Sequence, residues 1–219
     1  MVASRIPRQV PLRVPSLAGL VALAAIATCP VAAQEQPASG ETLFRLCVQC
    51  HGQQGHGNRD IGAPGLTGLE PWYLARQLES YRAGMRGRPD QDAHESPMVS
   101  VSRSLADTVA VSRLVDHIDG LPDYVPQPSV EADASRGRGL YEACDSCHGA
   151  AGEGNRSLNA PGLADRDDWY LVEQLRDFVS GDRGSHVGDM YGQQMVPVSR
   201  VLTNDKAVLD LVAYINTLP

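Results

Sequence analysis

The sequence predicts a mainly α chain made of two tandem copies of one small helical domain. Three observations predict it. The pentapeptide Cys-x-x-Cys-His occurs twice, as Cys47-Val-Gln-Cys50-His51 and Cys144-Asp-Ser-Cys147-His148. The surroundings of the two copies match at a fixed offset of 97 residues, without a gap, to the chain end. Apolar residues fall at helical spacing, and no strand alternation stands out. C-x-x-C-H is the attachment pattern of c-type haem: two thiols add to the vinyl groups and the histidine becomes an axial iron ligand. The motif also occurs as a redox dithiol, but two copies in matched surroundings point to two haems.

The matched positions run through each copy. Gly52, Gly55, Gly57, Asn58 and Arg59 return as Gly149, Gly152, Gly154, Asn155 and Arg156. Ala63-Pro64-Gly65-Leu66 returns as Ala160-Pro161-Gly162-Leu163, and Trp72-Tyr73-Leu74 as Trp169-Tyr170-Leu171. Gln77-Leu78, Arg86-Gly87 and Val101-Ser102-Arg103 recur as Gln174-Leu175, Arg183-Gly184 and Val198-Ser199-Arg200. The expected organisation is a signal segment over 1–33, a first domain over 38–122, a linker over 123–132 and a second domain over 133–219. Pro126 and Pro128 favour extended backbone, so the linker reads as short and stiff.

The elements follow in order. Arg5, Arg8 and Arg13, then the apolar run Leu17 to Ala27, then Val31-Ala32-Ala33 form an export signal with its cleavage site. At 11 residues the run is well short of the roughly 20 that span a bilayer. An uncleaved membrane anchor is the alternative reading, and Cys29 reads as a passenger of the signal. In each domain a first helix leads into the cysteine pair, through Leu43-Phe44 and Leu140-Tyr141. A second runs from Trp72 or Trp169 to Gly84 or Gly181. A third carries Val111, Leu114, Val115 and Ile118, or Val208, Leu211, Val212 and Ile215, on one face. Pro122 and Pro219 follow these last helices, where proline is common. Ala106-Asp107 stands where the second copy has Thr203-Asn204, so the last helix of the first copy lacks an obvious hydroxyl cap. The glycine-containing stretches between read as loops packed on haem.

The repeat also selects the sixth iron ligand, because a shared ligand must appear in both copies. Met98 and Met195 do, each 47 residues after its histidine. Met85 faces Asp182 at the offset, and Met190 faces Ala93. His56, His94, His117 and His186 have no histidine at the matched position. A methionine is ordinarily core filler, but the matched position in a haem protein favours ligation. Met/His ligation raises the reduction potential and fills the coordination sphere. Pro64 and Pro161, 13 residues after the histidines, are candidates to accept the ring N–H through their carbonyls; a simple loop turn is the alternative. The matched arginines Arg86 and Arg183, and Arg103 and Arg200, are candidates for haem propionates, or else solvated surface charge. Trp72 and Trp169 read as haem-packing or inter-helix core.

The formal charge is −7 and becomes −10 without residues 1–33, so a nucleic-acid partner is not expected. Residues 34–122 carry −3 and residues 133–219 carry −5. An acidic partner is therefore expected to prefer the first domain, at Arg76, Arg82 and Arg88.

On these motifs the chain resembles the dihaem cytochromes c of the c4 type, two class I cytochrome c domains in tandem. The resemblance rests on Cys-x-x-Cys-His-Gly with Gly-x-Gly-Asn after it, the Pro-Gly-Leu turn, Tyr-Leu-x-x-Gln-Leu, the late methionine and the closing Leu-Pro, and it covers nearly all of 38–219. It implies a pseudo-twofold pair of helical domains with haem propionates meeting near the interface. It also implies single-electron transfer in the periplasm between respiratory-chain donors and acceptors such as a terminal oxidase, with at most loose membrane association and no catalytic residues. A dihaem electron-accepting subunit of a larger periplasmic dehydrogenase or flavocytochrome is the alternative. A dihaem peroxidase would need an open or displaceable ligand, which the matched methionines argue against.

Overall fold

The structure is a computed structural model that describes residues 37–87 and 96–219, with Pro11. Apart from Pro11, the expected signal segment over 1–33 with Cys29 lies outside the described residues, as do Arg88 and His94. Ten α-helices and two 3-10 turns, and no strand, make up the regular structure among the described residues. In the first half these are α1 (Gly40–Phe44), α2 (Val48–His51), the 3-10 turn Arg59–Ile61, α3 (Pro71–Arg82), α4 (Ser96–Arg103) and α5 (Thr108–Asp119). The second half repeats the order as α6 (Ala134–Tyr141), α7 (Asp145–His148), the turn Arg156–Leu158, α8 (Asp168–Ser180), α9 (Gly192–Ser199) and α10 (Asp205–Ile215).

Each half closes its own core on the expected helical face. Val111, Leu114, Val115 and Ile118 of α5 pack with Phe44, Leu74, Leu78 and Leu105. Val208, Leu211, Val212 and Ile215 of α10 pack with Tyr141, Val172 and Leu202. The first helix crosses the last at a glycine in both halves. A Cβ on Gly40 would overlap the carbonyl oxygen of Arg113, and one on Gly137 would overlap that of Asp210. Only glycine allows backbone this close.

Two expectations are corrected. The last helix of the first half is capped without a hydroxyl, because Asp107 accepts from the Ala110 N–H at 2.8 Å. Asn204 accepts from the Ala207 N–H at 3.0 Å at the matched place in the second half. A carboxylate or amide oxygen caps as well as a hydroxyl does. The methionine segments are helices rather than loops, although α9 contains Pro197. The connection after residue 122 is irregular and is fastened to both halves. Tyr124 N–H donates to Thr67 Oγ1 at 3.2 Å, and Arg59 Nη1 donates to Ser129 Oγ at 2.8 Å. The buried carboxylate of Asp168 takes Val130 N–H at 2.6 Å, Ser129 Oγ–H at 2.8 Å and Ser129 N–H.

Candidate haem sites

Each histidine ends a one-turn helix, α2 or α7, that the cysteine pair begins. The glycine after it, Gly52 or Gly149, has φ of 78° or 83° and turns the chain back. The returning loop lays its proline beside the ring. His51 Nδ1–H donates to the Pro64 carbonyl at 2.7 Å, and His148 Nδ1–H to the Pro161 carbonyl at 2.7 Å. A carbonyl only accepts, so the proton sits on Nδ1 and the Nε2 lone pair is left for a metal. Gly57 and Gly154 make room for this approach. With φ of 84° and 81° they leave no space for a Cβ, which on Gly57 would lie 2.7 Å from the Pro64 carbonyl carbon.

Both histidines are 5% exposed, and burial holds their pKa below the ordinary value against the hydrogen bond to proline. They are therefore neutral and ready to ligate at neutral pH. Burial likewise pushes the Cys47 and Cys144 thiols up to about 11, helped by Cys50 for the first and by Asp145 and Cys147 for the second.

A mainly apolar cavity lies in each half. The first is bounded by Cys47, Cys50, His51, Pro64, Arg86 and Met98, and the second by Cys144, Cys147, His148, Pro161, Arg183 and Met195. The two cavities open to solvent and have volumes of about 170 and 240 Å³. A neutral imidazole, a thioether and two thiols around an apolar space suit an iron macrocycle held by two thioethers. The residues present fit covalent haem. The two cavities share walls: Leu69, Tyr73, Gln77 and Tyr170 line both.

The arginines divide. Arg86 and Arg183 line the cavities and are 3% and 8% exposed. They reach across the junction of the two halves. Arg86 donates to Gln77 Oε1 at 2.6 Å in its own half, and to Tyr170 OH at 2.5 Å and Gln174 Oε1 at 2.7 Å in the other. Arg183 returns the pattern to Tyr73 OH and Gln77 Oε1 at 3.0 Å, and to Gln174 Oε1. Burial works to raise the Tyr73 hydroxyl, but Arg183, Arg86 and Arg76 together hold it below the ordinary phenol value. Arg103 and Arg200 line neither cavity. Both are exposed, and Arg103 donates to the Arg82 carbonyl at 3.4 Å.

Other expected roles also shift. Trp72 and Trp169 line neither cavity. Trp72 lies under Arg76 at 4.9 Å and under Arg156 of the other half at 5.7 Å. Arg76 is drawn into the junction, donating to the Asn159 carbonyl at 3.0 Å, and Arg82 pairs with Glu79 at 2.6 Å. These two arginines are therefore engaged within the chain and are not free docking charges. Met85 and Met190 line neither cavity, and neither do His56, His117 or His186. Sequence reasoning missed Glu70 and Asp167, whose carboxylates cross the junction, although they too are matched at the 97-residue offset.

Comparison with known proteins agrees with this geometry. The cytochrome c family model matches residues 37–120 and 134–219. The thiosulfate dehydrogenase electron acceptor of Stutzerimonas stutzeri is 28% identical over 204 residues, 84% of this chain and 88% of that protein. The cbb3-type oxidase subunit CcoP of Cereibacter sphaeroides is 31% identical over 150 residues, and the match spans 65% of this chain and half of that subunit. Cytochrome c4 of Azotobacter vinelandii is 33% identical over 85 residues, 37% of this chain and 39% of that protein. Among solved structures, Acidithiobacillus ferrooxidans cytochrome c4 superposes with a TM-score of 0.64 at 24% identity, covering 80% of this chain and 99% of its own. Thiosulfate dehydrogenase (TsdBA) from Marichromatium purpuratum gives 0.62 at 28%, with 82% of this chain and 40% of that one covered. Among the described residues no helix is long and apolar enough to cross a membrane. The chain belongs to the cytochrome c family, as an electron-transfer protein with two tandem cytochrome c domains in the c4 arrangement, each with a covalently bound haem.

Proposed function

We propose that the chain carries single electrons outside the cytoplasm between respiratory-chain donors and an acceptor such as a terminal oxidase. In this reading Cys47 and Cys50 hold one haem, with His51 and Met98 as axial ligands. Cys144, Cys147, His148 and Met195 do the same for the other. Bound haem supplies a reversible one-electron iron couple. The observation that carries the reading is that the two cavities share walls at Leu69, Tyr73, Gln77 and Tyr170, so an electron entering one half has the other group next to it. The chain supplies a candidate for both axial positions in each half, which leaves no iron position for peroxide and favours a carrier over a peroxidase. The oxidase-subunit relative supports a respiratory partner.

A second reading has a specific observation in its favour. A relative that matches over most of both chains is the electron acceptor of a thiosulfate dehydrogenase. An electron-accepting chain of a larger periplasmic dehydrogenase would use the same residues. Purification of the native protein without detergent separates the two: a free dihaem chain supports the carrier, and a dehydrogenase chain that copurifies in fixed ratio supports the subunit. The ligand assignment is tested by the methionine-to-iron charge-transfer band of the oxidised protein. Met98→Ala and Met195→Ala are each expected to remove half of it. An unchanged band in either variant refutes the assignment for that haem, and rapid peroxide turnover by the unaltered protein refutes the carrier reading.

A further inference from the structure

The peptide that holds each candidate axial histidine is itself gripped by the opposite half. The Pro64 carbonyl accepts from His51 Nδ1–H, and the N–H of that same peptide unit, on Gly65, donates to Asp167 Oδ2 at 2.7 Å. The repeat returns the arrangement. The Pro161 carbonyl accepts from His148 Nδ1–H, and Gly162 N–H donates to Glu70 Oε1 at 2.7 Å. Glu70 and Asp167 precede α3 and α8 as their N-cap residues, yet neither side chain caps its own helix. Both carboxylates reach across to the other half instead.

A carboxylate that accepts from an amide N–H draws the amide dipole toward itself and leaves more electron density on the carbonyl oxygen. Hydrogen bonds in series reinforce one another in this way, by roughly 10–30% per bond. The carbonyl then pulls harder on Nδ1–H, and the ring becomes a stronger donor through Nε2. A stronger donor favours the ferric over the ferrous state and lowers the potential. On the reading of His51 and His148 as axial ligands, we propose that Asp167 sets the donor strength of His51 and Glu70 that of His148, so each half tunes the iron ligand of the other.

The two relays are unequal. Arg166 Nη2 stands 4.0 Å from Glu70 Oε2 and partly offsets that charge. The position matched to Arg166 in the first half is Leu69, which brings no cation to Asp167.

The test is a spectroelectrochemical titration of the holoprotein, with NMR assignment of each haem and of the histidine ring protons. Asp167→Asn keeps an acceptor for Gly65 N–H and removes the charge. It is expected to raise the potential of the His51 haem, shift the His51 Nδ1 proton resonance, and leave the His148 haem within error. Glu70→Gln is expected to raise the His148 potential, and Asp167→Glu, which keeps the charge, to hold the parent potential. The proposal is overturned if Asp167→Asn moves the haem of its own half instead, or moves the potential while the His51 proton resonance stays put, which marks a through-space charge effect. Failure of the ligand reading is seen separately, as absence of low-spin histidine-ligated signals in the unaltered protein.

Discussion

Removing the carboxylate of Asp168 is expected to free the connection between the halves, and the cost can be worked from four hydrogen bonds. Asp168 is 2% exposed. Its Oδ2 accepts Val130 N–H at 2.6 Å, Asn216 Nδ2–H at 3.1 Å and the Ser129 N–H. Its Oδ1 accepts Ser129 Oγ–H at 2.8 Å. In Asp168→Asn the amide can turn its NH₂ toward Ser129 Oγ, which rotates to accept, so the remaining oxygen still meets the other three donors. What is lost is the charge assistance, about 2 kcal/mol when bonds to a charged acceptor become ordinary ones. Asp168→Ala leaves the two backbone N–H groups without this acceptor, at roughly 1–3 kcal/mol each, or about 4 kcal/mol together.

The pH dependence follows from the same contacts. Burial acts to raise the Asp168 pKa, but the bonds from Ser129, Val130 and Asn216 outweigh it and hold the folded value below the ordinary carboxylate range. A carboxylate whose pKa is lowered on folding contributes stability that is fully present above its unfolded value of about 3.9 and is lost as pH falls through the folded value. The assay is thermal unfolding of the holoprotein at pH 7 and at acid pH. The expected order of stability at pH 7 is parent, then Asn, then Ala, with thermal midpoints falling by about 2–4 °C per kcal/mol. The gap between parent and Asn should narrow in acid. Equal stabilities for the three proteins, or a gap that widens in acid, refute the clamp.

Two further perturbations test other joints. Gly40→Ala and Gly137→Ala each place a Cβ into the backbone of the last helix of their half, and each is expected to cost about 1–3 kcal/mol as an overpacking change; urea midpoints equal to the parent's refute the close crossing. Gln174→Ala withdraws an acceptor shared by Arg86 and Arg183, two charge-assisted bonds of about 1.5–3 kcal/mol each. It is expected to speed proteolytic cleavage between the halves with both haems retained, and an unchanged cleavage rate refutes it.

What the sequence disclosed was whatever the repeat forced to recur together with a familiar motif. The offset singled out Met98 and Met195 from five methionines, and both line the cavities beside their histidines. The Pro64 and Pro161 carbonyls meet the histidine rings as expected, because the spacing carries the mechanism. The helices that present the methionines were hidden by Pro97 and Pro197, residues that usually break helices. Asp107 caps its helix with a carboxylate, a signal less distinctive in sequence than a hydroxyl because Asp is also common at solvated positions. Arg103 and Arg200 show the limit of the filter, since a matched pair of arginines can equally be a matched pair of surface residues. Contacts between the halves were the least legible. Arg86 with Tyr170 and Asp167 with Gly65 join positions 84 and 102 residues apart, and no local pattern announces either pair.

Those contacts share a logic that follows from the repeat itself. Two equal domains facing one another across a pseudo-twofold axis exchange the same groups in both directions, so any residue that reaches across is answered by its counterpart. Arg86 is answered by Arg183, Tyr73 by Tyr170 and Glu70 by Asp167. The exchange uses buried polar groups, which fix geometry more than they add stability, since desolvation cancels much of their attraction. An apolar junction would tolerate sliding. A junction of reciprocal hydrogen bonds has one register, and in that register the two cavities share the walls of Leu69, Tyr73, Gln77 and Tyr170. Duplication thus supplied two copies of a site, and the polar side chains that recur at 97 residues hold the copies at a fixed separation. Where the copies have since diverged, as at Leu69 and Arg166, the two sites become distinguishable while the frame that joins them stays symmetric.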